Sequence, residues 1–139
     1  MKFTTITDQS CTKCTDDNIH RLVKAWRRNP ECMEEALGHI RNWDVSAVTN
    51  MSYLFYNSSF NEDISNWDVS KVTNMKSMFE NAIMFNQNLN NWNLSNIQNV
   101  QDIVKNTKHF DHMKNKSFLK YIRDYYQNGK LDMDDNADA

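Results

Sequence analysis

Two cysteines at the start of the chain, Cys11 and Cys14 in "CTKC", have the spacing of half a zinc knuckle or of a redox pair. Cys32 and His20 offer two further ligands at the limit of reach. The second half of a zinc motif is missing, and nothing before residue 15 reads as a strand, so plain thiols are expected and Cys32 reads as a small buried residue. His109 and His112 stand on either side of Phe110 with no carboxylate in register, which fits histidines flanking a core ring better than metal ligands. "DMDDNAD", from Asp132 to Asp138, imitates the start of a calcium loop. It has Ala137 where that loop needs glycine and lacks the closing bidentate glutamate, so it reads as a solvated acidic tail. Trp43, Trp67 and Trp92 are regularly spaced and could stack on sugars, but each has apolar columns on both sides and reads as core. No Ser/His/Asp or Cys/His set, recurring carboxylate pair or glycine-rich phosphate loop is present. The expectation is a non-enzyme with no cofactor and no metal.

The tryptophans belong to a larger pattern. "NWDVSAVTNM" at residues 42–51 returns as "NWDVSKVTNM" at 66–75 and, worn, as "NWNLSNIQNV" at 91–100. Repeats of this length signal stacked units, each burying its apolar face against its neighbours. Eight columns stay apolar through the three copies: Ile40/Ile64/Leu89, Trp43/Trp67/Trp92, Val45/Val69/Leu94, Val48/Val72/Ile97, Met51/Met75/Val100, Leu54/Met78/Ile103, Phe55/Phe79/Val104 and Phe60/Phe85/Phe110. At 139 residues and net charge -2 the chain is one domain. It has no basic field for nucleic acid and no apolar run that would span a bilayer. The N-terminus has no apolar leader segment, so an intracellular protein is expected by default.

Within one copy the run around Ile64 and Trp67 alternates and reads as a short strand. Val72, Met75, Met78 and Phe79 then follow helical spacing, with Thr73 or Asn74 as cap. The fold class predicted is α/β: a solenoid of three strand-turn-helix coils, with parallel strands at 40–43, 64–67 and 89–92. Turn chemistry falls to asparagine, with 20 in the chain against two glycines and one proline. Two columns are unbroken, Asn50/Asn74/Asn99 and Asn57/Asn81/Asn106. Asparagine tolerates left-handed backbone and bonds nearby backbone groups, so these columns read as structural ladders.

The phrase "NWDVSxVTNMxxMFxxAxxFNQ" resembles the 25-residue repeat of BspA-like leucine-rich-repeat proteins, which include mycoplasma-type surface lipoproteins. The stretch "DNIHRLVKAWRRNPE…ALGHIRNWDVS" resembles the cap that often precedes the first such repeat. The resemblance covers about residues 16–113. It implies a leucine-rich-repeat-like solenoid, a surface or secreted setting, and adhesion or protein binding.

The ends of a stack must be covered. Residues 1–14 read as irregular and 15–38 as a helical N-terminal cap. In that segment Thr15 to Asp17 are expected to cap a helix carrying Ile19, Leu22, Val23 and Trp26 on one apolar face. Pro30 opens a second helix with Cys32, Met33, Ala36 and Leu37, and Gly38 ends it. The three-copy array runs from 39 to 113. Residues 114–129 read as a C-terminal capping helix with Phe118, Leu119, Ile122, Tyr125 and Tyr126 in one stripe, and 130–139 as an acidic mobile tail.

Function on a repeat array lives in the columns that vary. His39/Asp63/Asn88 and Arg41/Ser65/Asn90 are polar and differ in each copy, and alternation places them on the outer face of the expected sheet. The leading expectation is a monomeric, non-enzymatic module that binds a protein through His39, Arg41, Asp63, Ser65, Asn88 and Asn90. A structural subunit of a larger assembly is the alternative, and surface adhesion or glycan binding the third.

Overall fold

The computed structural model describes residues 13–127. Among them, α-helix occurs only toward the two ends: α1 (Ile19–Arg28), α2 (Pro30–Leu37) and α3 (Lys116–Gln127). A short 3-10 turn covers Ile40–Asn42. No described residue lies in a strand, and extended pairing is reduced to isolated parallel bridges at Lys13–Asp44, Asn50–Asn74 and Asn74–Asn99. The expected α/β solenoid of strand-turn-helix coils is therefore incorrect. The segments at 40–43, 64–67 and 89–92 are turns, and no helix follows them in any of the three copies.

The reason lies in where the amide protons go. Around 40–43 and its counterparts, Trp43, Trp67 and Trp92 donate their backbone N–H to Ile40, Ile64 and Leu89 three residues back. The N–H groups of Arg41, Ser65 and Asn90 are taken by side chains two residues earlier. Local side-chain acceptors thus compete successfully with a sheet ladder.

The expected helix dissolves into a ribbon of turns. Met78 donates to Met75, Glu80 to Ser77 and Ala82 to Phe79, each across three residues. The intervening odd-numbered amides point to the next copy: Met75 to Asn99, Ser77 to Gln101, Phe79 to Ile103 and Asn81 to Lys105, at 2.8–2.9 Å. The first copy does the same, with Met51, Tyr53, Phe55 and Asn57 donating to Asn74, Lys76, Met78 and Glu80. Successive three-residue turns bring apolar side chains round at nearly the helical interval, so spacing over seven residues does not separate the two forms. The ribbon needs positive φ at alternate turns, and it occurs at Tyr53 and Asn57, Ser77 and Asn81, Asp102 and Asn106. Those angles, between 54° and 61°, forbid a continuous right-handed helix.

The core sits inside the stacked copies. Every member of the eight apolar columns is buried except Val104, which is half-buried. Phe60, Phe85 and Phe110 form a column of near-parallel rings at 6.3 and 6.0 Å, and Phe55 lies over Phe79 at 5.6 Å. The tryptophans tie copies together by a polar bond as well as by bulk: Trp67 Nε1 donates to the Ile40 carbonyl and Trp92 Nε1 to that of Ile64.

Both ends are closed by side chains that imitate a missing copy. The Thr49 carbonyl accepts from Thr73 and Asn74, and the Thr73 carbonyl from Gln98 and Asn99. Above the first copy, Asp16 Oδ1 takes the amides of Thr49 and Asn50 at 2.8 and 3.1 Å in the same pattern. Asp16 is thus not a cap of α1. The cap position there is Asn18, which makes no side-chain cap bond, whereas Asn29 does cap α2 through Cys32. Trp26 of α1 sets its ring edge-on to Trp43 at 5.9 Å. Below the third copy, the fully buried Asn115 accepts from the Leu89 amide and donates to the Gln87 carbonyl. Phe118 of α3 then packs edge-on against Trp92 and Phe110, and Tyr121 and Tyr125 donate their hydroxyls to the Leu94 and Ile97 carbonyls.

Two measurements of stability follow. Trp67→Ala removes a buried ring and leaves a cavity, a loss of about 3–5 kcal/mol. Trp67→Phe keeps most of the bulk but removes the indole bond to the Ile40 carbonyl, which keeps the Trp43 amide, and should lose about 0.5–1.5 kcal/mol by denaturant unfolding. Truncation after Asn115 strips Phe118 and Ile122 from the third copy. The shortened chain should associate in light scattering while the full chain stays monomeric, and a monodisperse truncated monomer would contradict the capping role of α3.

Candidate functional site

The six residues expected to form a recognition ribbon do not lie on a sheet face. His39 Nδ1, Asp63 Oδ1 and Asn88 Oδ1 accept the backbone N–H of Arg41, Ser65 and Asn90 at 3.1, 2.9 and 2.9 Å. They are turn acceptors whose variation is chemically narrow, since each position needs only a short side chain with a lone pair. Because Nδ1 of His39 accepts, its Nε2 carries the proton and points at the Glu62 carboxylate 3.3 Å away, while the ring lies edge-on to Trp26. Asn90 is held between the third copy and the cap, donating to the Lys114 carbonyl and accepting from the Phe118 amide. Arg41 is exposed and close enough to Asp63 to favour its charge.

The asparagine columns divide by task. Asn50, Asn74 and Asn99 accept the amides of Ser52, Lys76 and Gln101 within their own turns, at 2.9–3.0 Å. Asn57, Asn81 and Asn106 occupy the left-handed positions, and Asn106 Nδ2 donates to Asn81 Oδ1 at 2.9 Å across copies. A third column, Asn61/Asn86/Asp111, escaped the sequence reading although it bonds one copy to the next. Asn61 Oδ1 takes the Asn86 amide, and Asn86 Oδ1 takes that of Asp111. Its signal was present as the residue following each Phe of the Phe60/Phe85/Phe110 column.

Asp44, Asp68 and Asn93 make a fourth set, accepting the amides of Ser46, Ser70 and Ser95 at 3.0 Å. The hydroxyls of Ser46 and Ser70 add bonds of 2.6 Å. These hydroxyl bonds, followed by the amide bonds, hold the Asp44 and Asp68 carboxyls below the usual range. For Asp63 the Ser65 amide contributes most. For Asp16 the largest effect is desolvation, which raises the pKa, yet the bonds from Thr49 and Asn50 together outweigh it.

The residues singled out for metal chemistry stand apart. Cys14 is buried and its amide donates to Asp44. Cys32 is exposed, contrary to the buried position expected, because α2 turns Ala36 inward instead. Cys11 and the acidic stretch 130–139 lie outside the described residues. His112 sets its ring edge-on to Phe110 at 6.0 Å, and the His109 amide donates to Ile83. Among the described residues no three His, Cys, Asp or Glu side chains gather as a metal site.

One surface open to a partner lies where α1 meets the first copy. His20 Nε2 donates to the Ser52 carbonyl at 2.7 Å, and Arg27 Nη2 reaches the Asn57 carbonyl at 3.5 Å. The turn ribbon running between those two contacts carries Tyr53 and Tyr56, 47% and 40% exposed, with rings edge-to-face at 5.4 Å. The later copies have Ser77 and Glu80, then Asp102 and Lys105, in their place. A cleft of about 410 Å³ opens between α1 and the loop from Ser59 to Glu62, with Lys24, Arg27 and Arg28 along one wall.

A family model described as "Mycoplasma protein of unknown function, DUF285" matches residues 22–128. The chain matches no curated protein and no solved structure.

The aspartate geometry sets the acid response. A carboxyl with a depressed folded pKa contributes stability that is present above its unfolded value, about 3.9, and is lost as pH falls through the folded value. Stability should therefore drop below about pH 4. Asp44→Asn with Asp68→Asn should flatten that drop, because Asn93 shows that an uncharged amide serves the same turn. Urea midpoints at pH 7 and pH 3 measure it, and an unchanged acid response in the double variant would count against the assignment.

Proposed function

The chain belongs to this mycoplasma protein family, and from that premise we propose that it is a non-enzymatic protein-binding module whose contact surface is the tyrosine pair of the first copy together with the flank of α1. The observation that carries the reading is the exposed Tyr53–Tyr56 pair. Two large aromatic rings held edge-to-face at the surface offer apolar area at small entropic cost, and aromatic and arginine side chains are enriched at the centres of protein interfaces. Left-handed backbone at Tyr53 adds weight, because a bulky residue at φ 59° is unfavourable and a smaller one would suit the turn better.

The reading departs from the ribbon of His39, Arg41, Asp63, Ser65, Asn88 and Asn90 in placing the contact elsewhere, and keeps the module's character. The likeness of "NWDVSKVTNM" to the BspA-like repeat supports kinship with proteins that bind partners at cell surfaces, on sequence grounds alone.

The test is a comparison of variants. Tyr53→Ser with Tyr56→Ser should keep the melting temperature within a few degrees of the parent, since both rings are exposed. Proximity labelling in the native host should enrich a protein with the parent chain and lose it with the double variant. Enrichment indifferent to both tyrosines, with the fold intact, would overturn the assignment of this surface.

A further inference from the structure

We infer that the cleft between α1 and the Ser59–Glu62 loop docks a short acidic segment of the partner protein. The inference rests on the protein-binding reading above and adds the partner's chemistry.

Lys24, Arg27 and Arg28 line the cleft opposite Ser59, Phe60, Asn61 and Glu62. Lys24 and Arg28, one helical turn apart, also border a second hollow of about 330 Å³ that Arg21 adjoins. Four cations thus follow one flank of α1, and all four are exposed. None of them is ion-paired: the described pairs are Lys13–Asp44, His39–Glu62 and Lys120–Asp124. The one carboxylate in the cleft wall, Glu62, is turned toward His39. Among the described residues this strip of positive charge therefore has no carboxylate at ion-pair distance. Guanidinium groups in such a strip match carboxylates with paired N–H donors.

The dimensions select the ligand class. From Arg21 to Arg28 the strip runs roughly 10 Å at the helical rise. Glu31, Glu34 and Glu35 of the adjoining α2 are exposed, and none of them lines either hollow. That length does not suit a phosphate backbone, which needs a longer basic track, or an anionic bilayer, which needs a broad basic face. It suits two or three carboxylates on an extended peptide.

The probe is a fluorescein-labelled peptide alternating aspartate and alanine, titrated with the full chain and read by anisotropy. Beside it run a single-stranded oligonucleotide and vesicles of phosphatidylserine with phosphatidylcholine. The expected result is saturable peptide binding that weakens with added salt and falls about tenfold in Lys24→Glu with Arg28→Glu. Circular dichroism checks that this variant stays folded, and Lys24→Arg with Arg28→Lys should retain binding. Absent peptide binding, binding indifferent to the charge reversals, or tighter binding of the oligonucleotide or the vesicles would each overturn the inference. Failure here, with host-protein enrichment still dependent on Tyr53 and Tyr56, leaves the protein-binding reading standing. Loss of that dependence removes both.

Discussion

Everything between Trp43 and Asn115 depends on how a backbone that is neither helix nor strand finds partners for its amide protons. A buried N–H without an acceptor costs on the order of 1–3 kcal/mol, and a stack of turns contains dozens of amides. The chain meets the requirement by alternation. One amide closes a three-residue turn, the next reaches down to a carbonyl of the following copy, and asparagine or aspartate side chains take those that neither arrangement serves. The apolar columns supply the driving force for burial, but it is this allocation of protons that fixes which copy lies on which.

The caps make sense as the boundary condition of the same scheme. An interior copy has a neighbour to accept from above and another to donate to below. At the ends those neighbours are absent, and Asp16 and Asn115 supply the groups they would have offered. Trp26 and Phe118 replace the missing aromatic layers. The helices α1 and α3 therefore serve as carriers for a few substituted contacts, which leaves the outward flank of α1 free to hold charges that the stack itself does not need.

The core and its boundaries were legible because burial constrains residue type: the eight apolar columns could be read from spacing alone, and so could the helical segments at either end. The conformation linking those columns was not. A ribbon of three-residue turns and a short helix place Val72, Met75, Met78 and Phe79 almost alike, and the left-handed angle at Ser77 has no glycine to announce it. Polar variation was misleading for a related reason. His39, Asp63 and Asn88 differ in name while sharing one task, accepting an amide two residues on, so a column that looked free to recognise a partner is occupied. The tyrosine pair was passed over because it appears in one copy only, and a reading organised by columns looks at what recurs.

The sharing of amides also bears on ancestry. Each copy donates to its successor along the ribbon and to its predecessor at the threonine carbonyl, so its upper and lower surfaces are complementary to each other. A duplicated segment inserted between two copies would meet a compatible surface on both sides, and neither cap would have to change. Spacings of 24 and 25 residues between tryptophans show that one extra residue is already tolerated, taken up in the loop before Phe85. Selection acting on such a chain can lengthen or shorten the array by recombination, while the surface on α1, outside the repeating unit, is inherited unaltered.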